Sequence, residues 1–288
     1  MNLFAYDFLR NALIGALIIG FIAPAVGTYL VQRRMSLIGD GIGHIALTGV
    51  AVGFLTNTSP VLTAVIVSAA GAVAIELLRA YGRLSGDIAL ALLFYGGIAG
   101  GVLLVGLAGN KSNANLLSYL FGSLLTTSDG DLVAIALLSV VVLLVTLGAR
   151  PWLFAVCQDE EYARVAGLPV RALNLVLAVI AAVTVTVAMR AVGLLLVSAL
   201  MVVPVATAQQ VARGFRTTMV AAMILGVAVA GSGVYVSFDL DVAPGAAIVV
   251  LALLVFVVVA AGAAAVRRLR RAPAEAAAPE PPDVVLAK

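Results

Sequence analysis

Asn11–Arg34 reads NALIGALIIGFIAPAVGTYLVQRR, a nearly unbroken apolar run from Asn11 to Leu30 that stops at Gln32-Arg33-Arg34. A helix rises about 1.5 Å per residue and the hydrocarbon core of a bilayer is about 30 Å thick, so roughly 20 apolar residues make one crossing. The run predicts a membrane span. Its length and the lack of a convincing cleavage site make it a retained span rather than the apolar part of a secretion signal. Pro24 removes one helical hydrogen bond inside it, which predicts a kink.

Outward from this run the same alternation of apolar segment and short basic turn repeats to residue 271. Hydrophobic residues make up 63% of the 288 and charged residues only 11%, which excludes a water-soluble fold. In hydrocarbon only helices and closed barrels satisfy their own backbone, and apolar runs of this length specify helices. The expectation is an all-α, polytopic membrane bundle. Further spans are read at 36–55, 60–78, 85–108, 131–148, 172–188, 191–211, 217–236 and 243–266, giving nine, or eight if one of the first two does not fully cross. Residues 116–125 are apolar but too short to span, and predict a re-entrant or interfacial helix. Ser85-Gly86-Asp87, and Ser128 with Asp131, are helix-start signals.

Arginines fall at every second boundary: Arg33/Arg34, Arg79/Arg83, Arg150 to Arg171, Arg213/Arg216 and Arg267 to Arg271. The positive-inside rule makes those boundaries cytoplasmic, with Lys111 and Arg190 as exceptions on the outer side. The net charge of +3, dispersed in these short clusters, gives no nucleic-acid surface. Cys157 is the only cysteine, so it forms no internal disulfide. Residues 1–271 are read as one transmembrane domain, and 272–288, rich in alanine, proline and acid, as a disordered tail.

Chemistry concentrates in Met35–Val50, MSLIGDGIGHIALTGV, which holds a carboxylate and the chain's only histidine. Asp40 and His44 are four apart, one helical turn, and share a face. Ionisable groups inside a membrane cost a few kcal/mol each and tend to mark ion pathways. An oxygen and a nitrogen donor suit Zn²⁺ or Mn²⁺, with water, backbone carbonyls or Tyr95 completing the shell. The competing reading makes Asp40 a helix-start residue and His44 a hydrogen-bonded interior one. Five glycines between 36 and 55 predict an inner helix that neighbours approach closely. Glu76 and Arg79, three apart, read as a pair at the membrane boundary. Asp239 and Asp241 lie in an outer loop, either solvated or attracting a dication. No G-x-x-x-x-G-K-[ST] or H-E-x-x-H occurs, so the chain is neither a P-loop ATPase nor a zinc protease.

Arg33-Arg34-Met35-Ser36-Leu37-Ile38-Gly39-Asp40, with His44 and Gly49-Val50-Ala51-Val52-Gly53, resembles the signature of the permease subunits of zinc/manganese ATP-binding-cassette importers, of the bacterial zinc-uptake type. Ser118-Tyr119-Leu120-Phe121-Gly122 and Val192 to Ala208 resemble two further segments of that family. The resemblance implies that Asp40 and His44 contact the metal on the permeation path. It implies a cytoplasmic coupling helix at 159–167, with Glu160, Glu161, Ala163 and Gly167 meeting an ATP-binding subunit. Further implications are a second copy of the chain, an extracytoplasmic metal-binding protein, no catalysis by the permease itself, and a multi-pass place in the bacterial inner membrane. Pro24, Gly39, Gly43 and Pro204 would absorb the helix movements of alternating access. Gly43-His44-Ile45 departs from the family's S-H-A or A-H-A, and Tyr95 stands where some zinc-type members carry a second histidine. Zinc is the expected cargo, with manganese or iron as the other candidates. The alternative is a stand-alone ion-coupled carrier, which needs no polar segment at 158–169 and often carries internal repeats; no clear half-to-half repeat is present.

Overall fold

The computed structural model describes residues 7–81, 86–108 and 129–276. Its helices, in chain order, are α1 (Asp7–Gln32), α2 (Ile38–Leu55), α3 (Pro60–Ala80), α4 (Gly86–Ala108), α5 (Asp129–Gly148), α6 (Arg150–Gln158), α7 (Glu160–Val165), α8 (Val170–Val192), α9 (Leu194–Val211), α10 (Phe215–Leu240) and α11 (Pro244–Ala276). No strand occurs among the described residues. Seven helices are individually long and apolar enough to cross a membrane, and α5 with α6, which meet at a 66° bend, form an eighth. The apolar part of α9, Val197–Val211, is shorter than the others.

The expected span at 191–211 is displaced at its start. Helix α8 continues to Val192, and the chain breaks at Gly193, whose φ of 92° and ψ of 151° lie in a region essentially closed to residues with a Cβ. The start of α9 is thereby fixed at Leu194. Proposed features at 116–125, Lys111, Arg83, Ser85 and Ser128 lie outside the described residues, as does 277–288 of the expected tail. Helix α11 runs through the basic cluster at 267–271 to Ala276.

Helices α1 and α8 are the most enclosed spans, followed by α2, whereas α4 and α11 turn most of their surface outward. This agrees with the glycine content of α2. Tyr29 of α1 is fully buried and donates its hydroxyl hydrogen to the Thr146 carbonyl of α5 at 2.9 Å. Its ring packs on Phe215 of α10 at 5.1 Å, and Phe215 in turn on Phe154 of α6 at 4.7 Å. One aromatic cluster so ties four elements near one end of the bundle.

That end also gathers the arginine boundaries. Gln32 bonds Gln158, Arg33 and Arg79 both reach Glu160, and Arg267 donates to Gln210 at 3.3 Å. The basic turns after α1, α3 and α6 therefore share one face with the ends of α9 and α11, which the positive-inside rule assigns to the cytoplasm.

Gly193→Ala is expected to destabilise the purified protein by about 1–3 kcal/mol, because alanine must occupy that backbone region. A lowered melting temperature in detergent, against an unchanged Gly262→Ala control whose added methyl meets open space, checks it.

Candidate metal-permeation site

Three sides of α2 are taken by neighbouring helices. Gly39 and Gly43 face Ser198 and Leu194 of α9, Gly41 faces Leu90 and Leu93 of α4, and Ile45 and Gly49 face Gly71 and Ala64 of α3. At 3.6 residues per turn, Asp40, His44, Leu47 and Ala51 fall on one stripe beside α4, with His44 against Gly97 and Leu47 against Gly101. The approach of α4 is close enough that a methyl on Gly97 would lie 2.7 Å from the His44 backbone carbonyl carbon. Thr48 reinforces that contact by donating to the Gly97 carbonyl at 2.8 Å. Leu47 and Ala51 are buried; Asp40 and His44, one turn below, are half-buried.

The His44 ring meets Phe94 of α4 edge-on, with centroids 4.6 Å apart. Its Nδ1 is buried without a hydrogen-bond partner. Among the described residues no hydrogen bond or salt bridge engages the Asp40 carboxylate. Asp40 stands in the first turn of α2, where a carboxylate also favours the positive helix end, though no side chain caps that N-terminus. Tyr95 is 69% exposed, and its ring contact is with Phe94. The structure thus unites Asp40 and His44 and leaves Tyr95 to one side. Among the described residues no group of three or more His, Cys, Asp or Glu side chains converges. Phe94 carries no sequence signal beyond its apolar neighbours, and α4 had to be placed before its role was visible.

At the cytoplasmic end, α7 is a single capped turn and a half. Asp159 accepts from the Glu161 and Tyr162 backbone amides at 2.9 and 3.0 Å, and Gly167, at φ 80°, closes it. Ala163 is buried, while Glu161, Tyr162, Val165 and Gly167 are exposed. Glu160 turns the other way. Its Oε1 accepts from Arg33, from Arg79 at 3.0 Å and from Asn174 of α8 at 3.2 Å. Arg79 also pairs with the buried Glu76 at 3.0 Å, as its spacing predicts, and Arg33 donates to Asn174 Oδ1 at 2.9 Å. Cavities of about 870 and 460 Å³ flank this junction. Burial pushes the Glu160 carboxyl up, but Arg33 and Arg79, with the Asn174 amide, outweigh it and hold the group below the ordinary carboxylate range.

Residues 5–263 match the ABC 3 transport family. The chain belongs to that family. It is 35% identical over 241 residues to a probable metal transport system membrane protein of Treponema pallidum, covering 83% of this chain and 90% of the relative. It is 32% identical to the manganese import system permease protein ScaB of Streptococcus parasanguinis, covering 85% and 86%. Its fold matches a chain of PsaBC from Streptococcus pneumoniae, solved in complex with Fab, with a TM-score of 0.80 at 29% identity over 88% of this chain and 91% of that one. The protein is accordingly a multi-pass membrane permease of an ABC-type metal transporter. It is not an enzyme; ATP hydrolysis belongs to a separate subunit, and permeases of this kind work with that subunit and a substrate-binding protein.

Because the folded pKa of Glu160 is depressed, the stability it contributes is complete above the ordinary glutamate value of about 4.3 and is lost as pH falls through the folded value. Glu160→Gln should lower stability at pH 7.5 by about 1–2 kcal/mol, a charged hydrogen-bond contribution discounted for partial exposure. Melting curves of variant and wild type should converge only as pH falls below the ordinary glutamate value and through the depressed folded one.

Proposed function

We propose that two copies of this permease form a two-fold pathway for Mn²⁺ import, in which Asp40 and His44 of each copy contact the passing ion. The observation that supports it is the pair itself: a carboxylate and an imidazole on one stripe of an enclosed helix, neither engaged by a described hydrogen-bonding side chain. An unpartnered polar group in such a place costs about 1–3 kcal/mol, which a cargo ion would offset. One carboxylate and one imidazole make an incomplete shell for a divalent ion. A second copy related by two-fold symmetry doubles the donors.

Manganese is favoured over zinc because ScaB is named as a manganese import permease and because a carboxylate suits the harder Mn²⁺. Zinc, expected first from the resemblance in sequence, gains no support from the relatives described above. An extracytoplasmic metal-binding protein would deliver the ion to the outer mouth.

Helix α7 is the element suited to seat on the ATP-binding subunit. Tyr162 and Val165, 71% and 89% exposed, offer apolar contacts beside Glu161, and the buried Ala163 holds the helix down. Glu160 then has a different role from the one its position suggests. It ties α7 to Arg33, in the turn that leads directly into α2, so a displacement of α7 is carried to the helix that bears Asp40 and His44. Pro24 in α1 and Pro204 in α9 are positions where the helices lack one internal bond and can bend.

In proteoliposomes carrying the permease, its ATP-binding subunit and the binding protein, Asp40→Ala and His44→Ala should each reduce ATP-driven Mn²⁺ uptake to background while assembly persists. Wild-type uptake in either variant would refute the site. Stimulation of ATP hydrolysis by Zn²⁺ alone, across a panel of Mn²⁺, Fe²⁺ and Zn²⁺, would refute the manganese assignment, and uptake without ATP would refute the importer.

A further inference from the structure

Most buried hydroxyls among the described residues find a partner: Ser68 pairs with Thr186, and Ser237 donates to the Val242 carbonyl. Several buried threonines share one way of doing so. Thr28, Thr184, Thr186 and Thr207 each donate to the carbonyl four residues earlier in the same helix, at 2.7, 2.8, 2.8 and 2.8 Å. That local bond is how a hydroxyl is satisfied where no water reaches. Ser198 of α9 is 8% exposed and does not make it, although Leu194 stands four residues before. Its Oγ is buried without a partner and points away from its own helix, toward α2. It lies 3.1 Å from where a methyl on Gly39 would sit, beside Asp40 in the chain. The Met201 sulfur, one turn on, is 3.7 Å from the same point.

Two of the three buried, unpartnered side-chain polar atoms among the described residues, His44 Nδ1 and Ser198 Oγ, lie on the packed helices α2 and α9, the second of them against Gly39, the residue before Asp40. Gly39 and Gly43 bring these helices together, and a Cβ at either would press on Ser198 or Leu194. The third such atom belongs to Ser139 of α5, a helix packed on α1, α6 and α8.

We propose that the Ser198 hydroxyl is a further oxygen donor to the permeating cation and that it biases the path toward Mn²⁺ over Zn²⁺. A hydroxyl oxygen is a neutral, hard donor, the type that suits Mn²⁺ better than the softer Zn²⁺. The inference rests on Asp40 and His44 being the cation contacts.

The test uses the reconstituted complex with Mn²⁺ and Zn²⁺ as competing cargoes. Ser198→Ala should raise the KM for Mn²⁺ uptake about tenfold while leaving assembly and melting temperature unchanged or improved, since it removes an unpaired buried group. Ser198→Cys, nearly the same size, should raise the ratio of Zn²⁺ to Mn²⁺ transported. Ser139→Ala is the control and should transport as wild type. A purely structural Ser198 gives wild-type KM and wild-type metal ratio in both variants, which overturns the inference. If Ser198→Ala fails to assemble, the metal ratio of Ser198→Cys alone decides. Asp40→Ala run in parallel separates the two failures: loss of uptake there with a silent Ser198 overturns only the present inference, and wild-type uptake there overturns both.

Discussion

The bilayer interior offers no water to complete a hydrogen bond, so each polar group inside must find its partner within the protein. Tyr29 reaches the Thr146 carbonyl across helices, the buried threonines bond their own helix, and Ser68 pairs with Thr186 at 2.9 Å between α3 and α8. Glu76, 5% exposed, is neutralised by Arg79. Against that background His44 and Ser198, with Ser139 of α5, are exceptions whose buried polar atoms have no partner. A transport protein needs such exceptions on its path. A group already paired in the resting state would have to break a bond before it could bind cargo.

The same constraint shapes the cytoplasmic end differently. There, water and lipid headgroups are near, and a cluster of charges is affordable. One Glu160 oxygen accepts from Arg33, Arg79 and Asn174, drawn from three separate parts of the chain. The opposing charges keep it ionised despite burial, so the junction stays closed at physiological pH. Its location between two cavities leaves the surrounding side chains room to rearrange.

Most of the architecture was legible in the sequence because membrane spans declare themselves by length, and arginines mark the ends. The candidate pair was legible for a related reason: Asp40 and His44 stand alone in an apolar helix, four residues apart. Gly193 was not, since a single glycine among many does not announce a positive φ, and the start of α9 was accordingly placed three residues early. The inward turn of Glu160 was not visible in the sequence. Asp159, Glu160 and Glu161 form one acidic run, yet capping by Asp159 sets the helix phase so that Glu161 faces out and Glu160 faces in. Ser198 was invisible because the significance of a serine depends on whether its bond is made. Tyr95 was suggested as a donor that could complete the shell, and in the structure its ring meets Phe94 and is largely exposed.

Incomplete coordination within one chain has a kinetic logic. A site with three or four fixed donors on one subunit would hold a divalent ion tightly, and release would then limit transport; conduction requires binding that is firm enough to admit the ion and weak enough to let it go. Donors divided between α2 and a facing surface avoid this, because separating the surfaces dismantles the site. On the proposed function, the close glycine contacts of α2 with α9, and the attachment of the α1–α2 turn to α7 through Arg33 and Glu160, would put that separation under the control of the cytoplasmic end. Affinity at Asp40 and His44 would on this logic be a property of helix spacing as much as of the donors. A small displacement of α7 could then exchange a capturing site for a releasing one without either residue changing its rotamer.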